Sequence, residues 1–260
     1  MKSSPLLHTY ATAPEVTAFS TTRHGGTGEG RYATFNINEY CGDTAEHTSE
    51  CRQRLAEVLG LGEDNIIMPH QTHGINPRII GKEFLSLPQS VQRMLLEDVD
   101  SVLTDVPGIC IGVSTADCVP VLLHDADHNA VAAVHAGWRG TVKSVVLRAV
   151  TEMRLAYGSE AAKLKAIVGP AISMKNFEVG DEVYEAFLEA KMPMDRIARR
   201  EDKWHIDLPQ CNRLQLMMAG VKKENIFMSG ICTYDNVADY FSARRLGKES
   251  GRIFSGIVIR

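Results

Sequence analysis

The sequence contains no apolar run approaching the roughly 18–20 residues that a membrane-spanning helix requires, the longest being strand-sized and broken by Asp, His or Gly. A membrane partner is therefore not expected. Lys and Arg do not cluster either: 28 of them face 32 Asp and Glu for a net charge of -4, and the adjacent pairs Arg199-Arg200 and Arg244-Arg245 are too short to make a basic stripe. That balance argues against nucleic acid as the main partner. Residues 1–10 hold Lys2, two serines and Pro5 but no apolar h-region, so no secretory signal is expected and the cytoplasm is the expected compartment. The six cysteines, at 41, 51, 110, 118, 211 and 232, include no C-x-x-C pair and read as reduced thiols, not a disulfide framework. No linker-like composition, repeat or charge block divides the chain, which reads as one domain over residues 1–260.

What is present is an ordinary globular composition, 44% hydrophobic and 23% charged, enough to build a large core. A strand is predicted over 17–22, leading into the glycine-rich loop 23–28. Asp43 or Thr44 can cap a helix running to Leu59, stopped by Gly60 and Gly62. Short β-rich runs follow at 65–69, 99–104, 109–114, 119–124 and 130–135, several apolar nearly throughout, as in strands covered on both faces. Helical spacing of Val142, Val145, Val146, Ala149 and Val150 predicts a helix over 137–157. A strand at 164–168, helices around 181–190 and after Pro209, and strands at 225–228 and 252–259 complete a mixed α/β (α+β) pattern with helices outside sheets.

Three segments place a metal-capable side chain at a strand edge: Gln71-Thr72-His73-Gly74, Thr115-Ala116-Asp117-Cys118-Val119-Pro120, and Ala133-Val134-His135-Ala136-Gly137-Trp138-Arg139-Gly140. Imidazole and thiolate suit zinc, and three protein ligands leave the fourth tetrahedral position open, the mark of a catalytic site. Spacing alone leaves two other readings standing. His73 and His135 can be satisfied strand-end histidines with Cys118 a small buried hydrophobe, or Cys118 can be a nucleophile with His135 as its base. The absence of His-x-His argues against the several coppers of a true laccase, although a single copper suits a His2Cys set.

The wording of these segments, with Arg23-x-Gly25-Gly26, Gly169-Pro170-Ala171-Ile172, Phe177-Glu178-Val179-Gly180 and Phe241-Ser242-x-Arg244-Arg245, resembles the laccase-domain family from about residue 17 to 259. This is the group of bacterial proteins once called multicopper polyphenol oxidases, which includes a human laccase-domain-containing protein. The resemblance implies layered α/β/β/α packing and a zinc ion held by His73, Cys118 and His135. It implies purine nucleoside phosphorylase activity on adenosine, inosine and methylthioadenosine, with deamination of adenosine, so that the partners are a purine nucleoside and phosphate. A different branch of the family is associated with a cytoplasmic amidase that edits peptidoglycan precursors. The oligomeric state is not legible.

If those reactions occur here, other residues acquire candidate roles. Asp117, beside the cysteine, is a candidate to orient a histidine N–H, or else to cap its turn. His70, three residues before His73, is a candidate proton carrier, with packing as the plain alternative. Arg23, Arg52, Arg139 and Arg244 are candidates for phosphate, against the ordinary role of a surface or ion-paired arginine. Trp138 offers a face for a purine or simply joins the core. The turn 137–140 opens a helix whose N–H groups can receive an anion. Asn36 stands where the family usually reads Leu-Asn-Leu and is a candidate substrate contact. Cys51-Arg52 and Ser242-Ala243-Arg244-Arg245 depart from the usual Asn-Arg and Ser-Tyr-Arg-Arg, which touches the substrate contacts and not the ligand triad. The zinc-deaminase signature His-x-Glu with Pro-Cys-x-x-Cys is absent, so deamination needs a different arrangement.

Overall fold

The computed structural model describes residues 4–260, so the reading of residues 1–10 rests partly on positions outside that range. Fourteen strands occur among the described residues: β1 (Leu7–Tyr10), β2 (Val16–Thr21), β3 (Ile66–Ile67), β4 (Pro77–Ile79), β5 (Ser101–Thr104), β6 (Cys110–Thr115), β7 (Val119–Asp125), β8 (Ala130–Ala136), β9 (Lys165–Val168), β10 (Glu178–Val179), β11 (Ala198–Arg200), β12 (Trp204–Ile206), β13 (Ile226–Met228) and β14 (Ile253–Ile259). They form a five-stranded sheet in the order β1-β2-β14-β6-β3, a six-stranded sheet in the order β13-β9-β7-β8-β5-β4, and a small sheet β10-β12-β11. Both large sheets are mixed, with parallel pairs at β3/β6, β4/β5 and β9/β13.

Side-chain alternation along the strands sets the layers. Every residue of β7 and β8 is buried. Val119, Val121 and Leu123 face one way, into a core shared with Val145, Val146, Ala149 and Met153 of the helix Val145–Tyr157 and Leu214 and Leu216 of the helix Leu208–Met218. Leu122, Val131 and Ala133 face the other way, against Ile111, Val113, Ile257 and Ile259 of the five-stranded sheet. The far face of that sheet, with Phe19, Cys110 and Phe254, packs on Cys51, Leu55 and Leu59 of the helix Ala45–Leu59. The result is the expected α/β/β/α stack, and it explains why the central strands read as unbroken apolar runs.

The helix Ala45–Leu59 begins and ends as the sequence predicts: Thr44 Oγ1 accepts from the His47 N–H, and Gly60 closes it at φ 65°. The predicted helix 137–157 is instead two helices, Trp138–Val142 and Val145–Tyr157, separated by Ser144 at φ 61°. The Thr141 carbonyl accepts from both Gln215 Nε2 (2.7 Å) and the Ser144 N–H (2.9 Å), which closes the first helix as a tight turn. The predicted strand 65–69 shrinks to β3, at the sheet edge. β1, β4, the small sheet and the helices Lys82–Leu85 and Gln89–Leu95 are short elements without a periodic signal, and the sequence reading missed them.

Gly112 of β6 and Gly256 of β14 face each other across the sheet, and a Cβ on Gly112 would lie 2.2 Å from Phe254 Cζ. Gly112→Ala is expected to cost about 1–3 kcal/mol by forcing that ring from its place. A fall in the denaturant midpoint at unchanged m-value would register this; an unshifted midpoint would show that the ring relocates freely.

Candidate metal centre

The two large sheets bring three strand ends together. β7 and β8 are antiparallel with Pro120 opposite His135, so Cys118, just before β7, meets His135 near the end of β8. β5 lies on the other side of β8, with Ser101 opposite Val134, which sets Asp100 beside His135. The loop carrying His73 is fixed to the edge of β6 by the Gln71 side chain, whose Nε2 donates to the Ser114 carbonyl (2.8 Å) and whose Oε1 accepts from the Ser114 N–H (2.7 Å).

Asp100 joins two of the three segments. Its carboxylate accepts from the backbone N–H groups of Thr72 (3.4 Å), His73 (3.1 Å) and Gly74 (2.6 Å), holding His73 at φ 67°, a left-handed conformation unfavourable for a side-chain-bearing residue. The same carboxylate accepts from His135 Nδ1 at 2.7 Å, while the His135 backbone N–H donates to the Asp100 carbonyl at 2.8 Å. An ionised carboxylate only accepts, so the Nδ1 proton is fixed and Nε2 is directed to the other ligands. Burial opposes the charge on Asp100, but the hydrogen bond and charge of His135 and the Gly74 and Thr72 amides outweigh it and lower its pKa.

The ligand-capable atoms of His73, Cys118 and His135 all lie within 4.8 Å of one another. His73 is exposed, Cys118 partly buried and His135 buried, so the group opens to solvent on one side only. Burial alone would raise the Cys118 thiol, yet the His135 charge and hydrogen bonds from His135 and His73 lower it to about 6. Burial would lower His135, and the Cys118 thiolate and the Asp100 hydrogen bond raise it to about 9. A Cβ on Gly137 would stand 2.8 Å from His73 Cδ2 and 3.1 Å from Cys118 Sγ, so only glycine leaves the three side chains room to converge. A thiolate, two imidazoles, a carboxylate fixing one ring and a glycine clearing the centre suit a borderline-soft divalent cation.

The triad opens into a cavity of about 570 Å³. Of the other candidates from the sequence, His70, Asp117, Trp138, Arg139 and Arg244 line it, whereas Arg23, Asn36 and Arg52 do not. Arg23 donates to the carbonyls of Ala33 and Val237 and packs on Phe241. Arg52 donates to the Ile66 carbonyl and lines a separate groove. Asn36 is fully buried, bonded to Asp43 and to the Arg252 N–H. All three serve the loops behind the cavity.

Asp117 does not orient a histidine. Its carboxylate accepts from Thr233 Oγ1 (2.7 Å) and the Arg244 N–H (2.6 Å), because the residue sits at φ 87° and that turn carries its side chain away from the cysteine. Asp100 does the orienting. The helix opening at Trp138 is five residues long, too short to present a sizeable dipole to an anion. Sequence reasoning also missed Tyr40, Lys248 and Arg252 on the cavity wall. Lys248 and Arg252 follow the Arg244-Arg245 pair in sequence, which is the one signal that points to them.

Asp100→Asn is expected to weaken metal binding by roughly 10–100-fold, measured by competition with a chromophoric chelator; unchanged affinity would show that the ring needs no carboxylate. Gly137→Ala should act in the same direction. Metal binding must displace the His135 proton, so between pH of about 6 and 9 binding should release about one proton and tighten as pH rises. Below that window the Cys118 proton must leave as well. Titration calorimetry in two buffers of different ionisation enthalpy counts these protons.

A family model described as multi-copper polyphenol oxidoreductase laccase matches residues 17–260. A purine nucleoside phosphorylase of Bacteroides thetaiotaomicron is 44% identical over 247 residues, covering 94% of this chain and 92% of the relative. An adenosine deaminase from an unknown prokaryotic organism is 43% identical over 245 residues, covering 93% of each. Among solved structures, the hypothetical protein YfiH of Bacillus licheniformis superposes with a TM-score of 0.91 at 26% identity, covering 100% of this chain and 97% of that one. YlmD from Geobacillus stearothermophilus does so with a TM-score of 0.87 at 29% identity, covering 95% and 93%. The match runs through every strand that supplies the metal-capable triad, and the chain belongs to the multi-copper polyphenol oxidoreductase laccase family.

Proposed function

We propose that this protein is a zinc-dependent purine nucleoside phosphorylase, acting on adenosine, inosine and methylthioadenosine, that also deaminates adenosine. The relatives named purine nucleoside phosphorylase and adenosine deaminase support an enzyme of purine nucleosides. The observation that carries the finer reading is the convergence of His73, Cys118 and His135 on one wall of a cavity large enough for a nucleoside and an anion.

A zinc ion held by His73, Cys118 and His135 would supply Lewis acidity to the cavity. The rest of the work falls to the chain. Phosphorolysis brings a phosphate oxygen to the anomeric carbon as the base departs, through an oxocarbenium-like state of the kind known from glycoside chemistry. Arg139 and Lys248 on the cavity wall have no carboxylate partner among the described residues, and Arg139 lies 4.3 Å above the Trp138 ring. They hold the anion. Arg244, tied to the carbonyls of Asn176 and Glu178, closes that side and leaves less of its charge free. Trp138 offers part of an aromatic face to the base.

A second reading deserves its own arm of the test, because Cys118, His135 and Asp100 also align as thiolate, base and orienting carboxylate. That is the geometry of a cysteine hydrolase or amidase. Incubation with adenosine and phosphate should yield adenine, ribose 1-phosphate and inosine, resolved by chromatography. Chelation should abolish all three, and Cys118→Ala should lose both bound metal and turnover. No product at high enzyme concentration would sink the nucleoside reading. Activity that survives chelation but not alkylation of Cys118 would favour the hydrolase. Metal analysis of protein prepared without added copper distinguishes zinc from the single copper that a His2Cys set also accepts.

A further inference from the structure

We propose that His70 is the proton donor to the departing purine, with Glu97 and Tyr40 as the residues that position it; the inference rests on the phosphorylase reading above. His70 lines the same cavity as the triad but belongs to neither the ligand set nor the loop contacts that hold it. Its Nδ1 lies 2.6 Å from Glu97 Oε2, and Glu97 sits behind it, off the cavity wall. Tyr40 stacks on the ring, with centroids 4.1 Å apart and planes 18° from parallel. The backbone is pinned as well: the His70 N–H donates to the Leu96 carbonyl (3.0 Å), and the His70 carbonyl accepts from the Val99 N–H (3.4 Å).

These contacts decide which nitrogen is available. A carboxylate accepts only, so Nδ1 carries the proton shared with Glu97, and Nε2, which has no protein partner among the described residues, is the nitrogen free for the cavity. Other proton-bearing groups on the wall are engaged or poorly suited. His135 is held by Asp100 and Cys118, the Asp117 carboxylate is occupied by Thr233 and Arg244, and burial with the nearby Glu39 pushes the Tyr40 phenol up to about 12.

The step balances without a further reagent. The donor is the doubly protonated ring, with Nδ1–H on Glu97 and a second proton on Nε2. As the C1′–N9 bond breaks, its electron pair passes into the purine, and the charge that reaches N7 is neutralised by the Nε2 proton. A hydrogenphosphate oxygen forms the new bond to C1′. The proton that this phosphate carried returns to Nε2, leaving free base, ribose 1-phosphate and His70 as it began. The same cavity then holds both the proton donor, His70, and the cationic side chains of Arg139 and Lys248 for the anion.

The test compares inosine with 7-methylinosine, whose N7 is already substituted and whose base leaves without a proton. His70→Asn should lose on the order of 10²–10⁴-fold in kcat on inosine while keeping wild-type turnover of 7-methylinosine. Glu97→Gln should show a smaller loss with the same selectivity, since it frees the ring without removing it. Bound metal and thermal midpoint, measured on both variants, report folding, and Glu97→Gln carries the test if His70→Asn does not fold. Equal losses on both substrates would reduce His70 to a structural residue, and undiminished turnover of inosine would remove it from the reaction. A wild-type protein inert toward both nucleosides would instead overturn the phosphorylase reading itself.

Discussion

One buried carboxylate governs this centre. Asp100 has no direct place in the triad, yet it fixes the left-handed loop of His73 and the ring of His135, so two of three ligand-capable side chains take their positions from it. A buried charge is costly unless its lone pairs are filled, and here three backbone amides and an imidazole fill them. The carboxylate stays ionised because of the geometry, and the geometry persists because the carboxylate is ionised. Loss of either would release the His73 loop from the edge of β5.

The sheets make that arrangement rigid. Asp100, Cys118 and His135 sit at the ends of the neighbouring strands β5, β7 and β8, whose registers are fixed by full burial on both faces. A slip of one residue in β8 would exchange the residues facing the helices with those facing the five-stranded sheet and would turn His135 away from Asp100. Thus the apolar core that specifies the fold also positions the site, and the loop of His73, which lies outside the strands, is held by the hydrogen bonds to Asp100.

Much of this was legible in the sequence, and the limits have physical causes. The unbroken apolar runs announce strands covered on both sides, and His73, Cys118 and His135 stand out because each lies at the edge of a predicted strand within a segment that resembles the family's motifs. Asp100 carried no comparable signal, since a single aspartate before a strand looks like any turn residue until the pairing of β5 with β8 is known. Adjacency to Cys118 makes Asp117 a candidate to orient a histidine, and a left-handed turn that the sequence does not announce carries its carboxylate to Thr233 and Arg244 instead. Arg23, Arg52 and Asn36 are residue types that suit a substrate as well as a loop, and the fold has them bonded to carbonyls and amides of backbone outside the cavity. The break at Ser144 depended on Gln215, more than seventy positions away in sequence, which no local pattern encodes.

The same charges explain why a cation suits the site better than a cysteine nucleophile alone. Without an ion, the anionic Asp100 and Cys118 are balanced only by the proton on His135, which leaves the partly buried cluster one charge negative. Exchanging that proton for a divalent cation would bring the cluster to neutrality. Desolvation penalises net charge, so burial itself favours the exchange. Arg139, Lys248 and His70 line the same cavity as the triad, so the charge balance of the triad bears on the groups that share its lining.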